Sequence, residues 1–327
     1  MLRMLNIVNV TFPFFALVLA GFVATRRGWL ALDAIPAMNA FVLYFALPCM
    51  LFRFGASTPI ARMLDPAVIG SYLGCALLIV AVAVVLTRRG VVGWNDAAFG
   101  SLVAAFPNSG FMGVPLLVDL LGPAAAAPAI VAVTVDMVVT SSLCIALSRL
   151  GTAGEHGMRE ALSKSLRGVA ANPLPWAIVF GALVSATGLE LPPVVFKPVA
   201  MLADAASPVA LFTLGAVLAR SQMRPDPEVA GGTAAARRAD VPLVVGLKLI
   251  AHPLLVWGVG SLAMALGLPL EPFALQVLVL LAALPSASNV TMLAERYGAD
   301  SGRIARIVLI STALSFLTFT VAVAWLV

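Results

Sequence analysis

The sequence is short of charge. Only 11% of its 327 residues are Asp, Glu, Lys or Arg, against roughly 25% in a soluble domain. Histidine is scarcer still, and the two present, His156 and His252, exclude a multi-histidine metal centre. The three cysteines, Cys49, Cys75 and Cys144, stand far apart inside apolar runs, which excludes a disulfide framework and a cysteine-rich metal site. No Gly-x-x-x-x-Gly-Lys-Ser/Thr loop is present to cradle the phosphates of ATP. What the chain does have is apolar surface: 61% of its residues are hydrophobic and the mean hydropathy is +1.05. That excludes an ordinary soluble enzyme, a disordered chain and a nucleic-acid binder, despite a net charge of +5. It leaves an all-α integral membrane protein.

A span needs about 20 mainly apolar residues. Ten stretches qualify: Leu5–Thr25, Ile35–Gly55, Pro66–Thr87, Ala97–Leu121, Ala126–Ser148, Asn172–Leu189, Val195–Ala219, Val241–Leu266, Pro272–Glu295 and Ile304–Leu326. With the N-terminus outside, 15 of the 20 Lys and Arg fall on the inner side and 4 on the outer, with Lys248 inside a span. Basic residues collect on the cytoplasmic side, so both termini are expected on the non-cytoplasmic face of a cell inner membrane. The longest connections, 149–171 and 220–240, are expected inside, their charges touching anionic lipid rather than nucleic acid.

The chain also repeats itself. A shift of 160 residues lays Pro13 on Pro173, Gly21 on Gly181, Gly28 on Gly188, Pro48 on Pro208 and Gly55 on Gly215. A shift of 176 lays Pro66 on Pro242 and Gly70 on Gly246, and a shift of 178 lays Ala104-Ala105-Phe106-Pro107 on Ala282-Ala283-Leu284-Pro285. Spans 5 and 10 show no match. Spans 1–4 thus pair in order with spans 6–9. Five spans per copy is an odd number, so the second copy enters the membrane from the other side. The expectation is a 5+5 inverted repeat, common among secondary transporters. Its bounds are 1–149 for the first copy, 150–171 for a cytoplasmic linker and 172–327 for the second.

Spans 4 and 9 carry helix-breaking clusters at matching depth. Span 4 holds Pro107-Asn108-Ser109-Gly110 followed by Gly113 and Pro115, and span 9 holds Pro285-Ser286-Ala287-Ser288-Asn289. Proline removes a donor and clashes with the preceding turn. Broken backbone survives at membrane depth only when buried or beside water. Paired breaks in the two halves are the strongest sequence pointer to a transporter site, and half-helix N-termini suit an anion.

These residues carry a resemblance. Pro107-Asn108-Ser109-Gly110-Phe111-Met112-Gly113-Val114-Pro115 resembles the Pro-Asn-x-x-x-Met-Gly-x-Pro stretch of the auxin efflux carrier family. Leu284-Pro285 with Ala294-Glu295-Arg296-Tyr297, Asn172-Pro173, and Asn39 with Leu47-Pro48 resemble the family's patterns in spans 9, 6 and 2. The long cytosolic loop of the plant carriers is missing, so the chain is similar to the short prokaryotic branch that includes malonate and malate permeases. The resemblance implies a fold like that of the bile-acid–sodium symporters. Spans 1, 2, 6 and 7 would form a scaffold and homodimer face, and spans 3–5 and 8–10 a moving transport domain. A small carboxylate would be carried by an elevator-type mechanism, held between scaffold and crossover by Asn108 and Asn172. Ser109, Gly110, Ser286, Ser288 and Asn289 complete the candidate substrate site, with Pro107, Gly113, Pro115 and Pro285 as the break residues. Ser286 and Asn289 stand at positions that vary in the family, which leaves the substrate open. No cofactor and no metal are expected, and the coupling ion would be H+ or Na+.

Three ionisable residues lie well inside spans: Asp136, Asp204 and Lys248. Each costs at least about 2.5–3.5 kcal/mol at the bilayer centre. Asp136 is either a coupling group, such as a proton carrier, or a structural carboxyl. Lys248 either reaches towards the inner surface or pairs with Asp136. Asp204 is expected to be structural, bonded to Ser207 or to span 2, and His252-Pro253 to kink span 8. Rival readings are a channel or substrate sensor on the same fold and an intramembrane aspartyl protease using Asp136 and Asp204. Neither aspartate has a Gly-x-Gly-Asp context, and no enzyme activity is expected.

Overall fold

The computed structural model describes residues 2–88, 92–150, 170–223 and 240–327, together with Ser163 and Arg167, with side chains from Phe12 onward except that of Ser221. The 150–171 linker and the 220–240 connection lie largely outside the described residues. In hydrocarbon every backbone polar group must find its partner within the protein, which favours helices. The described residues are accordingly almost all helical, with one isolated antiparallel bridge between Pro107 and Ser286.

Twelve helices order the description: α1 (Leu2–Arg26), α2 (Ala34–Ser57), α3 (Pro66–Arg88), α4 (Trp94–Ala105), α5 (Ser109–Leu121), α6 (Pro123–Ser148), α7 (Pro173–Thr187), α8 (Pro193–Met223), α9 (Val241–Ala265), α10 (Pro272–Ala282), α11 (Asn289–Arg296) and α12 (Ser301–Leu326). Among the described residues, six helical stretches are long and apolar enough to cross a membrane: Ala34–Ser57, Ile60–Arg88, Pro123–Ser148, Pro193–Arg220, Val241–Ala265 and Ser301–Leu326. Phe12–Arg26, Ser109–Leu121, Pro173–Thr187 and Pro272–Ala282 are shorter apolar helices. The expected span 4 is divided into α4 and α5, and span 9 into α10 and α11. In both, the helix stops at the residues the proline clusters mark.

Prolines also explain most of the widened, π-type turns. Val42–Ala46, Ser109–Gly113 and Leu247–Ala251 are π turns. Each includes the carbonyl four residues before a proline (Pro48, Pro115 or Pro253), where the ring would otherwise clash. The chain therefore remains helical through His252-Pro253. A fourth π turn, Asp136–Thr140, has no such proline.

The chain forms two compact units. Unit 1 comprises residues 1–66, 110–133 and 170–224; unit 2 comprises 67–109, 134–169 and 225–327. In unit 1, α1 crosses α8 and α2 crosses α7 with backbone against backbone. A Cβ on Gly21 would lie 1.9 Å from the Phe212 carbonyl oxygen, and one on Gly181 2.5 Å from that of Phe52. A Cβ on Gly215 would lie 1.8 Å from the Val18 carbonyl oxygen, and one on Gly55 3.2 Å from that of Ile178. Adding 160 to Gly21, Phe52, Val18 and Gly55 gives Gly181, Phe212, Ile178 and Gly215, so the two crossings exchange their residues under one constant shift. Gly28 and Gly188, also 160 apart, both adopt positive φ, at 74° and 63°.

In unit 2, buried Arg303 at the start of α12 grips Asp240 at the entry to α9. Its Nε donates to Asp240 Oδ1 at 3.1 Å and its Nη2 to Oδ2 at 2.5 Å, while Nη1 donates to the Asp96 carbonyl at 2.8 Å. Asp300 caps α12 by accepting from the Arg303 N–H, and its own N–H donates to Asp96 Oδ1. Gly100 leaves the space the guanidinium occupies, since a Cβ there would sit 2.5 Å from Nη2.

Candidate functional site

The two breaks of unit 2 are tied to each other. The Asn108 N–H donates to the Pro285 carbonyl at 2.8 Å, and the Ala287 N–H to the Phe106 carbonyl at 3.0 Å. These bonds exchange under a shift of 179, whereas aligning the prolines gives 178. Pro107 therefore faces Ser286 across the bridge rather than Pro285. Pro107 and Pro285 lack N–H groups and contribute only acceptors here. The remaining polar groups are closed by side chains. The Ser286 hydroxyl donates to the Val103 carbonyl at 2.8 Å, the Ser286 N–H reaches Ser311 Oγ at 3.2 Å, and Ser109 Oγ donates to the Pro107 carbonyl at 3.1 Å.

Against that background two atoms stand out. Asn108 is 2% exposed, yet among the described residues its Nδ2 has no hydrogen-bond partner, and neither has the buried Oδ1 of Asn289 at the start of α11. A buried unsatisfied polar atom costs about 1–3 kcal/mol. Asn108 thus offers donors, and Asn289 an acceptor, beside broken helix ends. Ser286 and Ser109, expected as substrate contacts, spend their hydroxyls holding the break. Ser288 is buried at the N-cap of α11 and makes no capping bond through its side chain.

A second polar set lies in unit 2. Asp136, Tyr72, Thr140, Lys248 and His252 are all fully buried. The Tyr72 hydroxyl donates to Asp136 Oδ2 at 2.7 Å and Thr140 to Oδ1 at 3.2 Å. Ser141 Oγ donates to the Asp136 backbone carbonyl at 2.8 Å, supporting the π turn that no proline explains. Lys248 neither reaches a surface nor forms an ion pair with Asp136. Its Nζ donates to the carbonyl of Ala282, the last residue of α10, at 2.7 Å, and lies 3.3 Å from His252 Nδ1. Helix ends leave carbonyls unpaired and carry partial negative charge, so the lysine closes a half-helix terminus. Tyr72 and Lys248 are 176 residues apart, the shift that relates α3 to α9.

The other candidates belong to unit 1. Asn172 caps α7, its Oδ1 accepting from the Leu174 N–H at 3.0 Å, which spends its oxygen and leaves the amide to donate. Gly110, Gly113 and Pro115 lie in the opening turns of α5. Asp204 is bonded to span 2, as one of the expectations had it: Arg53 of α2 donates to its Oδ1 at 2.6 Å. Among the described residues no group of three His, Cys, Asp or Glu side chains is placed to hold a metal ion.

Residues 6–323 match the family described as membrane transport protein. The chain belongs to that family, which is auxin efflux carrier-like. It is 29% identical to the "Putative malonate transporter" of Rhizobium meliloti (strain 1021) over 97% of its own length and 95% of the relative's. It is 27% identical to "Uncharacterized transporter YfdV" of Escherichia coli (strain K12), covering 87% and 86% of the two chains. It is 23% identical to "Auxin efflux carrier component 8" of Arabidopsis thaliana, covering 89% of each. The membrane transport protein family and these relatives make the chain a membrane transporter rather than an enzyme, and the resemblance drawn from the span-4 and span-9 motifs holds. The protease reading lapses with it: each of its two aspartates is already bonded, Asp136 to Tyr72 and Asp204 to Arg53.

Sequence reading missed Tyr72, Thr140, Ser311, Asp240 and the burial of Arg303. The first three are ordinary residues in apolar helices, and nothing local marks their partners. Asp240 and Arg303 read as loop and inner-surface charges because a charge count does not see burial.

Proposed function

We propose that the chain is a secondary transporter of small carboxylates, built from ten spans in a 5+5 inverted repeat and working by an elevator-type mechanism. The observation that carries this reading is the Asn108 side-chain amide, a buried donor with no partner among the described residues, beside a broken transmembrane helix. A neutral donor with a half-helix dipole binds an anion weakly enough to release it, where a buried arginine would hold it more tightly. The names of the relatives, malonate and auxin, are both carboxylates. Asn289 and Ser288, at the start of α11, are the further polar contacts within unit 2, and Asn172 and Gly110 of unit 1 are candidates on the sequence pattern. Asp136 and Lys248 are coupling or supporting groups, and the coupling ion is H+ or Na+.

The repeat is supported by the glycine crossings of unit 1 and the mutual bonds of the two breaks. The elevator is supported by the division into two units, one built around α1, α2, α7 and α8 and the other carrying the bonded breaks. Residues 110–133 group with the former by packing, so the moving body is drawn most narrowly as unit 2. The face of α8 bearing Val194, Met201 and Asp204, exposed by 85%, 66% and 69%, supports a homodimer through unit 1.

Uptake into proteoliposomes tests the reading. Malonate should enter saturably and show counterflow, in preference to amines and neutral sugars of similar size. Conductance far above carrier rates would make the protein a channel, and malonate binding without flux a sensor.

A further inference from the structure

The transporter reading leaves the coupling group open, and Asp136 is the residue the sequence favours for it. The hydrogen bonds point elsewhere. Both Asp136 oxygens accept from hydroxyls, Oδ2 from Tyr72 and Oδ1 from Thr140. That set fits an ionised carboxylate, which only accepts. Protonating it would turn one of the two hydroxyls away or leave its hydrogen without an acceptor. Asp136 thus has its hydrogen bonds complete in the ionised form.

Lys248 and His252 are built differently. Nζ makes two contacts, one to the Ala282 carbonyl and one to His252 Nδ1. An ammonium has three N–H groups and a neutral amine has two plus a lone pair, so both contacts persist in either state. His252 Nε2 is buried and has no partner among the described residues. We propose that Lys248 and His252 form the proton-exchange site of the transporter, with His252 as the relay and Lys248 as the group that holds the proton. The inference rests on the transporter reading and deepens it.

The proton balance is simple. In the unloaded state Lys248 is an amine whose lone pair accepts from His252 Nδ1–H, and Nε2 holds a lone pair. A proton arriving from water binds Nε2, and the Nδ1 proton passes to Nζ. Lys248 becomes an ammonium that donates to the now bare Nδ1, and His252 is left as the neutral Nε2–H tautomer. The site gains one proton and no hydrogen bond is broken. The proton lies at the carbonyl end of α10, so it offsets the charge of a carboxylate entering the adjoining break. Release of that carboxylate on the other side returns the proton to water by the reverse path, giving symport of one proton per cycle.

The groups facing His252 are few. Lys248 stands one turn earlier on α9, and the Tyr72 ring of α3 lies 6.3 Å away between centroids with Asp136 of α6 behind it. Cys75 of α3 is directed at the Leu255 carbonyl. Helix α10 carries no ionisable side chain, and Asp96, Arg303 and Arg306 lie in the first two turns of α4 and α12.

Two measurements test the proposal on the full chain. In proteoliposomes, an inward proton gradient should drive malonate accumulation with matching proton entry. His252→Gln should cut that accumulation by about tenfold while its melting temperature stays near wild type. Gradient-driven accumulation unchanged in His252→Gln, or wild-type counterflow indifferent to the gradient, would overturn the relay. A wild type without malonate counterflow would instead refute the carboxylate reading. The second measurement needs no substrate and no variant of the site. Nitrogen-15 histidine NMR of His156→Gln protein reports His252 alone, since these are the only two histidines. Across about pH 5 to 8 its signal should pass from the Nδ1–H to the Nε2–H tautomer as pH falls, without becoming imidazolium. A tautomer that does not change, or full protonation of the ring, overturns the proposal whatever the substrate is.

Discussion

Asn108 spends its backbone N–H on the Pro285 carbonyl and leaves Nδ2 without a partner among the described residues. Those two facts separate the part that holds the break from the part that can meet a ligand. Asn108→Ala keeps the first and deletes the second. A hydrogen bond to a charged group is worth about 1.5–3 kcal/mol, so the variant should bind malonate at least about tenfold more weakly with its melting temperature nearly unchanged. Asn108→Asp should be worse, because it sets a like charge against the substrate. If Nδ2 served only to stabilise the broken helix, the order would reverse. Asp would then be tolerated as a helix cap, Ala would melt early, and affinity in folded protein would be normal. Melting curves and binding isotherms on the two variants distinguish these outcomes, and normal affinity in folded Asn108→Ala removes Asn108 from the binding site. The polar neighbours divide in the same way. Ser286 was legible as a break residue from its place beside Pro285, but not as a brace, because its acceptor, the Val103 carbonyl, lies 183 residues away.

Helices in lipid gain little from hydrophobic burial against each other and associate through close packing of small residues. Unit 1 follows this rule at two crossings, with graded tightness. A Cβ on Gly215 or Gly21 would run into a backbone carbonyl at 1.8 or 1.9 Å, one on Gly181 at 2.5 Å, and one on Gly55 would lie only 3.2 Å from its nearest neighbours. Carbonyls of a helix cannot turn aside, so the helices must move apart. Alanine substitution should destabilise in that order, with Gly215→Ala costing at least the roughly 1–3 kcal/mol typical of overpacking. Gly70 of α3 is the control, since a Cβ there meets nothing within 4 Å and alanine improves helix propensity by about 0.5–1 kcal/mol. Thermal melts of the five variants in one detergent test the order, and Gly215→Ala as stable as Gly70→Ala would refute the crossing geometry. The sequence carried half of this result. The glycines matched at a constant shift, but that they pair across helices, Gly21 with α8 and Gly55 with α7, is tertiary. The breaks behave likewise. Proline alignment found them to within one residue, and the last residue was set by hydrogen bonds that a proline cannot donate.

At the scale of the molecule, composition alone decides that the chain belongs in a membrane, and the positions of Lys and Arg set the expectation for which way it faces. The count favours the inner side by 15 to 4, but the structure shows that not every basic residue belongs in such a count. Arg303 is 4% exposed and neutralised by Asp240, and Arg53 is bound to Asp204. Removing both leaves 14 against 3, so the asymmetry does not rest on buried pairs. The expected orientation therefore places residues 149–171 and 220–240 in the cytoplasm and both termini outside. Cysteine labelling tests it cleanly. The native thiols Cys75 and Cys144 are buried and Cys49 lies within α2, so background labelling from water should be low, and all three can be replaced by alanine or serine. A single cysteine at Ala153 or Ala234 should resist an impermeant maleimide in intact cells and react after permeabilisation. One added beyond Val327 should react without it. Labelling of Ala153→Cys from outside would invert the orientation. Labelling of Ala153→Cys and Ala234→Cys from opposite sides would mean that an odd number of spans separates them, and the pairing of span 1 with span 6 and span 2 with span 7 as inverted copies would fall with it.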